Sequence, residues 1–305
     1  MTADLSSVRT AVLSWFDAHA RDLPWRHPGA GAWAVLVSEI MLQQTPVVRV
    51  EPAWRAWMAR WPAPADLAAA PPADVLRAWD RLGYPRRALR LQECARTIVA
   101  EHGGRVPDTE EELRALPGVG AYTAAAVAAF AYGRRAVVLD TNVRRVLGRA
   151  IEGRALPSPS LTRAERDRAA GYLPPDRDPA TSVRWNVGLM ELGALVCTAR
   201  SPRCQACPLL RGCAWHAAGR PADEHAARRR SQAWHGTDRQ VRGSIMAHLR
   251  AMPDGAWTDG AALLVAGADG ADPAALSDPA QPARALASLV ADGLVVADDR
   301  GYRLP

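Results

Sequence analysis

Residues 116–142, LPGVGAYTAAAVAAFAYGRRAVVLDTN, constrain the fold more tightly than any other stretch of the chain. Leu116-Pro117-Gly118-Val119-Gly120 is a Gly-rich turn, and an Ala-rich helix pattern follows it over residues 121–132. A short apolar run, 136–139, then delivers one carboxylate, Asp140. Glycines at 118 and 120 let the main chain approach a bulky partner closely. The free N–H groups that open the next helix attract an anion, most simply a phosphate. A phosphate grip beside a carboxylate predicts an enzyme that holds a nucleic-acid backbone and does chemistry next to it.

The surrounding pattern is helical. Val8, Val12, Leu13 and Phe16 form a stripe within residues 6–20, and Trp33 to Leu42 is almost uninterruptedly apolar. Further helices are predicted over 46–61, 66–70, 73–82, 86–102, 110–115, 141–151, 163–172 and 182–195, with no convincing strand before residue 230. Residues 221–236 read as a linker. Beyond it lie helix patterns at 239–250 and 282–291, a short one at 261–265, and a hairpin signal over 293–304 around Asp298-Asp299-Arg300-Gly301. Helices followed by a hairpin resemble a winged helix.

Charge divides the chain. It has no lysine, so all 38 basic residues are Arg, and no side-chain amine can form a Schiff base. Residues 231–305 hold six Arg against nine acids, a balance of −3; residues 1–230 hold 32 Arg against 23 acids, +9. The larger part carries the field suited to a polyanion. For the acidic tail, packing or protein contact is favoured over direct DNA contact, which stays open. No apolar leader and no run of 18 apolar residues occurs, which predicts a soluble, cytoplasmic protein with no membrane partner.

Two constellations carry chemistry. Cys197, Cys204, Cys207 and Cys213 are spaced C-x6-C-x2-C-x5-C, which in a reducing compartment favours a metal centre over disulfides. Zinc usually takes two C-x2-C knuckles, and here there is one, so an iron–sulfur cube is favoured while zinc stays open. Cys94, isolated on a helix, is expected in the core. Glu39 sits among Val35, Leu36, Val37, Ile40, Met41 and Leu42. Desolvation there favours the protonated form, the condition for a general acid near neutral pH.

These motifs resemble the endonuclease III superfamily of DNA glycosylases, and within it the adenine-specific mismatch glycosylases of the MutY type. The resemblance rests on Leu23-Pro24-Trp25-Arg26, Ser38-Glu39-Ile40-Met41-Leu42-Gln43-Gln44-Thr45, Leu82-Gly83-Tyr84, Leu116 to Gly120 with Tyr122-Thr123-Ala124, Leu139-Asp140 with Asn142-Val143, Glu191 to Ala194, and the four cysteines. It covers residues 8–215. It implies a mainly α, helix-hairpin-helix glycosylase fold: a six-helix domain over 26–136, an iron–sulfur domain from 1–25 and 137–222, a linker at 223–237, and a small α+β winged-helix-like domain over 238–305. The implied cofactor is a [4Fe-4S] cluster. The implied partner is double-stranded DNA with A·8-oxoguanine or A·G mispairs, bound by a monomer associated with the nucleoid.

By resemblance, the target adenine flips out of the stack. Glu39 protonates its N7, Asp140 stabilises the oxocarbenium-like sugar, Asn142 orients Asp140, and Tyr122 hydrogen-bonds near the reacting centre. Trp25, Arg26, Leu42 and Gln43 contact the substrate. Gln44 and Thr45 fill the vacated stack, Tyr84 wedges nearby, and Leu116, Gly118, Val119 and Gly120 grip the backbone. Tyr122 stands where lyase-active relatives place a lysine, so a monofunctional enzyme is expected. Two features depart from the family: Pro85 replaces a frequent second aromatic, and 237–305 is too short for the usual Nudix-like domain. A thymine or uracil mismatch glycosylase shares the hairpin, Asp140 and cysteines but has no need of Glu39. A non-catalytic DNA-binding protein would need neither carboxylate.

Overall fold

The computed structural model describes residues 4–175, 178–228, 236–269 and 278–305. Helices in chain order are α1 Leu5–His19, α2 Gly31–Leu42, α3 Val47–Arg60, α4 Pro64–Ala69, α5 Pro72–Trp79, α6 Arg86–Glu101, α7 Glu110–Ala115, α8 Ala121–Tyr132, α9 Thr141–Ala150, α10 Arg163–Tyr172, α11 Pro179–Leu195, α12 Ala214–Ala217, α13 Asp238–Ala251, α14 Gly260–Asp269 and α15 Gln281–Ala291. Among the described residues the strands are β1 Val296–Asp298 and β2 Gly301–Arg303, paired antiparallel. No helix among them is long and apolar enough to cross a membrane. Residues 229–235, within the expected linker, lie outside the described residues.

The chain forms two compact units. The first comprises residues 1–35, 108–115 and 119–230, the second 36–107, 116–118 and 231–305. In the first, α11 packs on α1 and α9. Val8, Val12 and Trp15 meet Leu139, Val143, Leu147, Trp185 and Leu189 in one apolar core. Side chains fix the helix starts: Asp4 accepts from the Ser6 and Ser7 N–H groups, Thr162 from Glu165 N–H, and Asp178 from Thr181 N–H. α8 is buried from Thr123 to Ala129 and ends on Gly133 in the left-handed region.

In the second unit, α4 and α5 pack on α6, and Trp57 meets Trp61 and Trp79 edge-on. The helix predicted over 73–82 stops at Trp79, because Asp80 takes φ 41° and a 3-10 turn covers Asp80–Leu82. The C-terminal module packs α13, α14 and α15 together around Val241, Ile245, Leu249, Leu263, Leu286 and Leu289. α14 is longer than the 261–265 predicted, running on to Asp269, and at its start Asp259 accepts from Ala262 N–H at 2.7 Å. The hairpin is completed by a bridge from Thr258 to Tyr302, and three helices with this small sheet make the winged-helix-like pattern. The module is tied to the rest of the unit. Arg77 donates to the Met252 carbonyl at 3.3 Å and pairs with Asp254, and Arg86 pairs with Asp292 at 3.1 Å.

Candidate active site and cluster loop

The Gly-rich turn joins α7 to α8. Gly118 has φ 78°, and a Cβ there would lie 3.2 Å from Arg90 Cβ, so conformation and space both require glycine. Gly120 precedes α8 and has no side chain with which to cap it. Leu116 and Val119 are buried, so any grip at these positions comes from their main chain.

In the first unit, Asp140 caps α9. Its Oδ1 accepts from Val143 N–H at 2.6 Å and its Oδ2 from the Asn142 amide at 2.7 Å. Burial pushes its carboxyl up, opposed by the hydrogen bonds from Val143 and Asn142 and by the charge of Arg145; the net direction is up. Asn142 is itself held, since Arg145 Nη2 donates to Asn142 Oδ1 at 2.7 Å and to the Gly193 carbonyl at 2.7 Å. Arg145 Nε donates to the Cys197 carbonyl at 2.6 Å. α9 and α11 approach so closely that a Cβ on Gly193 would fall 2.6 Å from Asn142 Cβ. Tyr122, half-buried on α8, packs against the apolar cluster of Ala125, Ala126, Ala129, Ala136 and Val138.

Trp25 is buried, and Arg26 beside it reaches a carboxylate that the sequence reading quoted without assigning a role. Glu191 is wholly buried and accepts from Arg26 Nη2 at 2.9 Å and from Arg21 N, Nε and Nη2 at 2.9, 2.7 and 2.9 Å. Burial alone would raise its pKa, but the hydrogen bonds and charge of Arg21 and Arg26 prevail and bring it to about 2. Arg26 Nη1 is buried and has no partner among the described residues. A buried donor left open in this way suits an acceptor from a bound molecule.

The second unit holds the other predicted contacts. Glu39 is 4 % exposed on α2, beside fully buried Ser38. Gln44 is exposed at φ 58°, and Tyr84 is 39 % exposed at φ 48°. Arg87, which sequence reasoning missed, binds these loops together. Its Nη1 donates to the carbonyls of Ile40, Met41 and Gln43 at 2.8, 3.1 and 2.7 Å. Its Nη2 donates to Thr45 Oγ1, Leu82 and Gly83 at 3.1, 3.2 and 3.0 Å. Thr45 Oγ1 donates to the Leu82 carbonyl at 3.0 Å. Leu42, Gln43, Gln44, Thr45 and Tyr84 are thereby gathered on one support, with the guanidinium at the C-terminal end of α2 where orphan carbonyls favour it. An Arg in the first turn of α6, straight after Leu82-Gly83-Tyr84-Pro85, was the available signal.

The four cysteines are free thiols that line one cavity with Val196, Trp215 and Arg149. Arg149 stacks on Trp215 at 4.4 Å, lies 3.5 Å from Cys197 Sγ, and donates to the Thr198 and Ala199 carbonyls at 2.7 and 3.0 Å. Burial pushes the Cys207 thiol up to about 11, and the other three cysteines act in the same direction. Among the described residues no three Cys, His, Asp or Glu side chains converge tightly enough for a single metal ion. A zinc ion would draw four sulfurs into one tetrahedron, whereas a cube takes one thiolate at each of four separated corners. Four cysteine sulfurs lining one cavity fit the four corners of an iron–sulfur cube. Cys94 is buried, as expected.

This hairpin fold and thiolate loop define a DNA N-glycosylase of base excision repair. Residues 37–170 match the HhH-GPD superfamily of base excision DNA repair proteins, and residues 197–213 match the iron–sulfur binding domain of endonuclease III. The chain is 55 % identical to an adenine DNA glycosylase of Mycolicibacterium smegmatis over 93 % of this chain and 91 % of that one. It is 52 % identical to an adenine DNA glycosylase of Mycobacterium tuberculosis over 97 % of this chain and 93 % of that one. It belongs to the adenine DNA glycosylase family and carries that family's [4Fe-4S] cofactor loop. Because the second match covers 97 % of this chain, it extends into the short C-terminal module. Among solved structures, a thermostable thymine-DNA glycosylase superposes with TM-score 0.62 at 28 % identity, covering 70 % of this chain and 97 % of that one.

Proposed function

We propose that this enzyme binds duplex DNA as a monomer and excises adenine mispaired with 8-oxoguanine or guanine, leaving an abasic site. The observation that carries the proposal is the fixed carboxylate of Asp140, aligned by Val143 N–H and the Asn142 amide. A carboxylate held this way stabilises positive charge developing on a sugar without having to reorganise. Glu39, buried on α2, is the general acid: it gives a proton to adenine N7 so that the base departs neutral. Water supplies the hydroxyl to the anomeric carbon, and its remaining proton restores Glu39. Arg26 Nη1 offers a donor to the flipped base, and Tyr122 a hydroxyl near the reacting centre.

Cys197, Cys204, Cys207 and Cys213 would hold the cluster, which would cross-link their loop; Arg145, donating to the Cys197 carbonyl and to Asn142 Oδ1, ties that loop to Asn142. With no lysine in the chain, no side-chain amine is present to open the abasic sugar, which supports a monofunctional reaction. The similarity to a thymine-DNA glycosylase keeps a pyrimidine substrate as the second reading. Duplexes with A·8-oxoguanine, A·G, T·G and U·G, assayed for base release, separate the two. Adenine release is expected, and release of pyrimidines alone would overturn the proposal. Glu39→Gln should slow adenine release by roughly 10²–10⁴-fold while duplex affinity stays within about threefold.

A further inference from the structure

Arg149, on α9, is 3 % exposed. Its Nε donates to the Ala155 carbonyl at 2.7 Å and its Nη2 to the Ala199 carbonyl at 3.0 Å. Its Nη1 donates to the Thr198 carbonyl at 2.7 Å and toward Cys197 Sγ at 3.5 Å. Its main-chain oxygen stands 3.5 Å from Cys213 Sγ, so one residue meets two of the cluster cysteines. None of these partners is a carboxylate. A buried cation without an anion is strongly unfavourable, so the fold places here a positive charge that calls for a negative one. Arg145, one turn earlier on α9, differs: the charge of Asp140 acts on it as well as that of Cys197.

Trp215 closes the site around that charge. It is 8 % exposed, lines the cysteine cavity, and has the Arg149 guanidinium 4.4 Å from its ring centre. Its Nε1 donates to the Pro221 carbonyl at 2.9 Å, and Arg220 lies over the ring at 6.0 Å, so the indole is held in place. A cation between an aromatic face and a sulfur, shut away from water, acts on neighbouring charge through a low effective dielectric.

We propose that Arg149 is a positioning residue for the iron–sulfur cluster: sealed by Trp215, its charge holds the Cys197 corner and makes the cluster harder to oxidise. A dipositive four-iron cube on four thiolates carries two net negative charges, and losing an electron makes that total less negative. A fixed cation beside it favours the electron-richer state, and a hydrogen bond to the sulfur acts in the same direction; charge, hydrogen bonding and exposure are the levers that set such potentials. This role does not depend on which base the enzyme excises.

The test uses the full chain with its cluster. Arg149→Gln should make one-electron oxidation of the cluster at least about tenfold more favourable, a downward shift of about 59 mV in the potential read by voltammetry. Arg149→Lys, which keeps the charge and loses the fork, should lie closer to wild type than to Arg149→Gln. Arg144→Gln, on the same helix, breaks the ion pair with Glu165 at 2.7 Å and should leave the potential unchanged, which separates charge from general loosening of the fold. Under ferricyanide, one electron passes from the cluster to the oxidant, and the oxidised cluster then releases one Fe²⁺ to leave a [3Fe-4S]⁺ species visible by electron paramagnetic resonance. That signal should grow faster in Arg149→Gln than in Arg149→Lys. If Arg149→Gln does not retain its cluster, Trp215→Ala carries the test, because it keeps the cation and opens it to water. Its cluster absorbance should bleach about threefold faster or more than wild type under ferricyanide, and that of Trp215→Phe should not. A wild-type potential in Arg149→Gln, or an equal shift in Arg144→Gln, would overturn the role of the charge. Equal bleaching of Trp215→Ala and wild type would overturn the seal.

Discussion

Arg145 and Arg149 in the first unit, and Arg87 in the second, point their N–H groups inward at main-chain carbonyls; Arg81 and Arg239, also in the second unit, line an open groove. The first group holds loops that no helix or sheet organises: the turn after α2, the segment at Leu82 and Gly83, and the chain around Cys197. A planar fork of five donors can satisfy several carbonyls at once, which a lysine ammonium cannot do with the same geometry. Burial has a cost, visible in Arg87, whose pKa is pulled down to about 10 by desolvation against the opposing influence of Tyr84. It remains charged at neutral pH. In a chain without lysine, one residue type thus serves both as internal brace and as outward field, and location alone decides which.

The largest expected effect comes from breaking a brace. Arg145→Leu leaves Asn142 Oδ1 and the Gly193 and Cys197 carbonyls without their donor. A loss of about 3–5 kcal/mol in urea unfolding is expected, together with weakened cluster absorbance and slower base release. Full stability with cluster retained would show that Arg145 braces nothing. Arg87→Lys is the next step down, since it keeps the charge and removes the fork. We expect a loss of about 2–3 kcal/mol, and a variant as stable as wild type would mean that charge alone holds the Gln44 and Tyr84 loops.

A third test separates charge from geometry by pH. Glu191 has its folded pKa depressed from 4.5 to about 2 by Arg21 and Arg26 acting against burial. The stability this confers is therefore fully present above about pH 4.5 and is lost as pH falls toward 2. Glu191→Gln should be less stable than wild type by about 2–3 kcal/mol near neutrality, and the gap should close on acidification. A gap that persists unchanged into acid would assign the role of Glu191 to packing.

The helices were legible because their signals are local: stripes at 3.6-residue spacing and glycines at turns. Glu39, Asp140 and the cysteines were legible because each stands out from its neighbours by type or spacing. Arg87, Arg145 and Glu191 were not, although Glu191 lay in a quoted motif. Their roles depend on carbonyls and guanidiniums brought together from distant positions, such as Arg26 with Glu191 and Arg145 with Cys197, and an Arg-rich composition hides which few are buried. The end of the helix at Trp79 was missed because Asp80, an ordinary helix residue by type, takes a left-handed conformation. The basic face of α13 was hidden for a different reason: averaging charge over residues 231–305 cancels Arg239, Arg242 and Arg250 against the nine acids of that stretch.

The smallest effect should come from the groove side of the comparison. Arg81 is exposed, and its charge acts on Arg250, whose own pKa is lowered first by burial, with Asp80 opposing and Arg81 adding to the shift. Removing that charge relieves a repulsion between two cations, so Arg81→Gln should change stability by no more than about 0.5 kcal/mol, with the sign toward a gain. Its main-chain carbonyl still accepts from Arg49, so the local turn is kept. Duplex affinity should nevertheless fall a few-fold at low salt, with a shallower salt dependence. Stability and duplex affinity would then move in opposite directions at Arg81, whereas stability and the rate of base release would fall together at Arg145. A large stability loss in Arg81→Gln would place it among the braces and erase the distinction between the two sets of arginines.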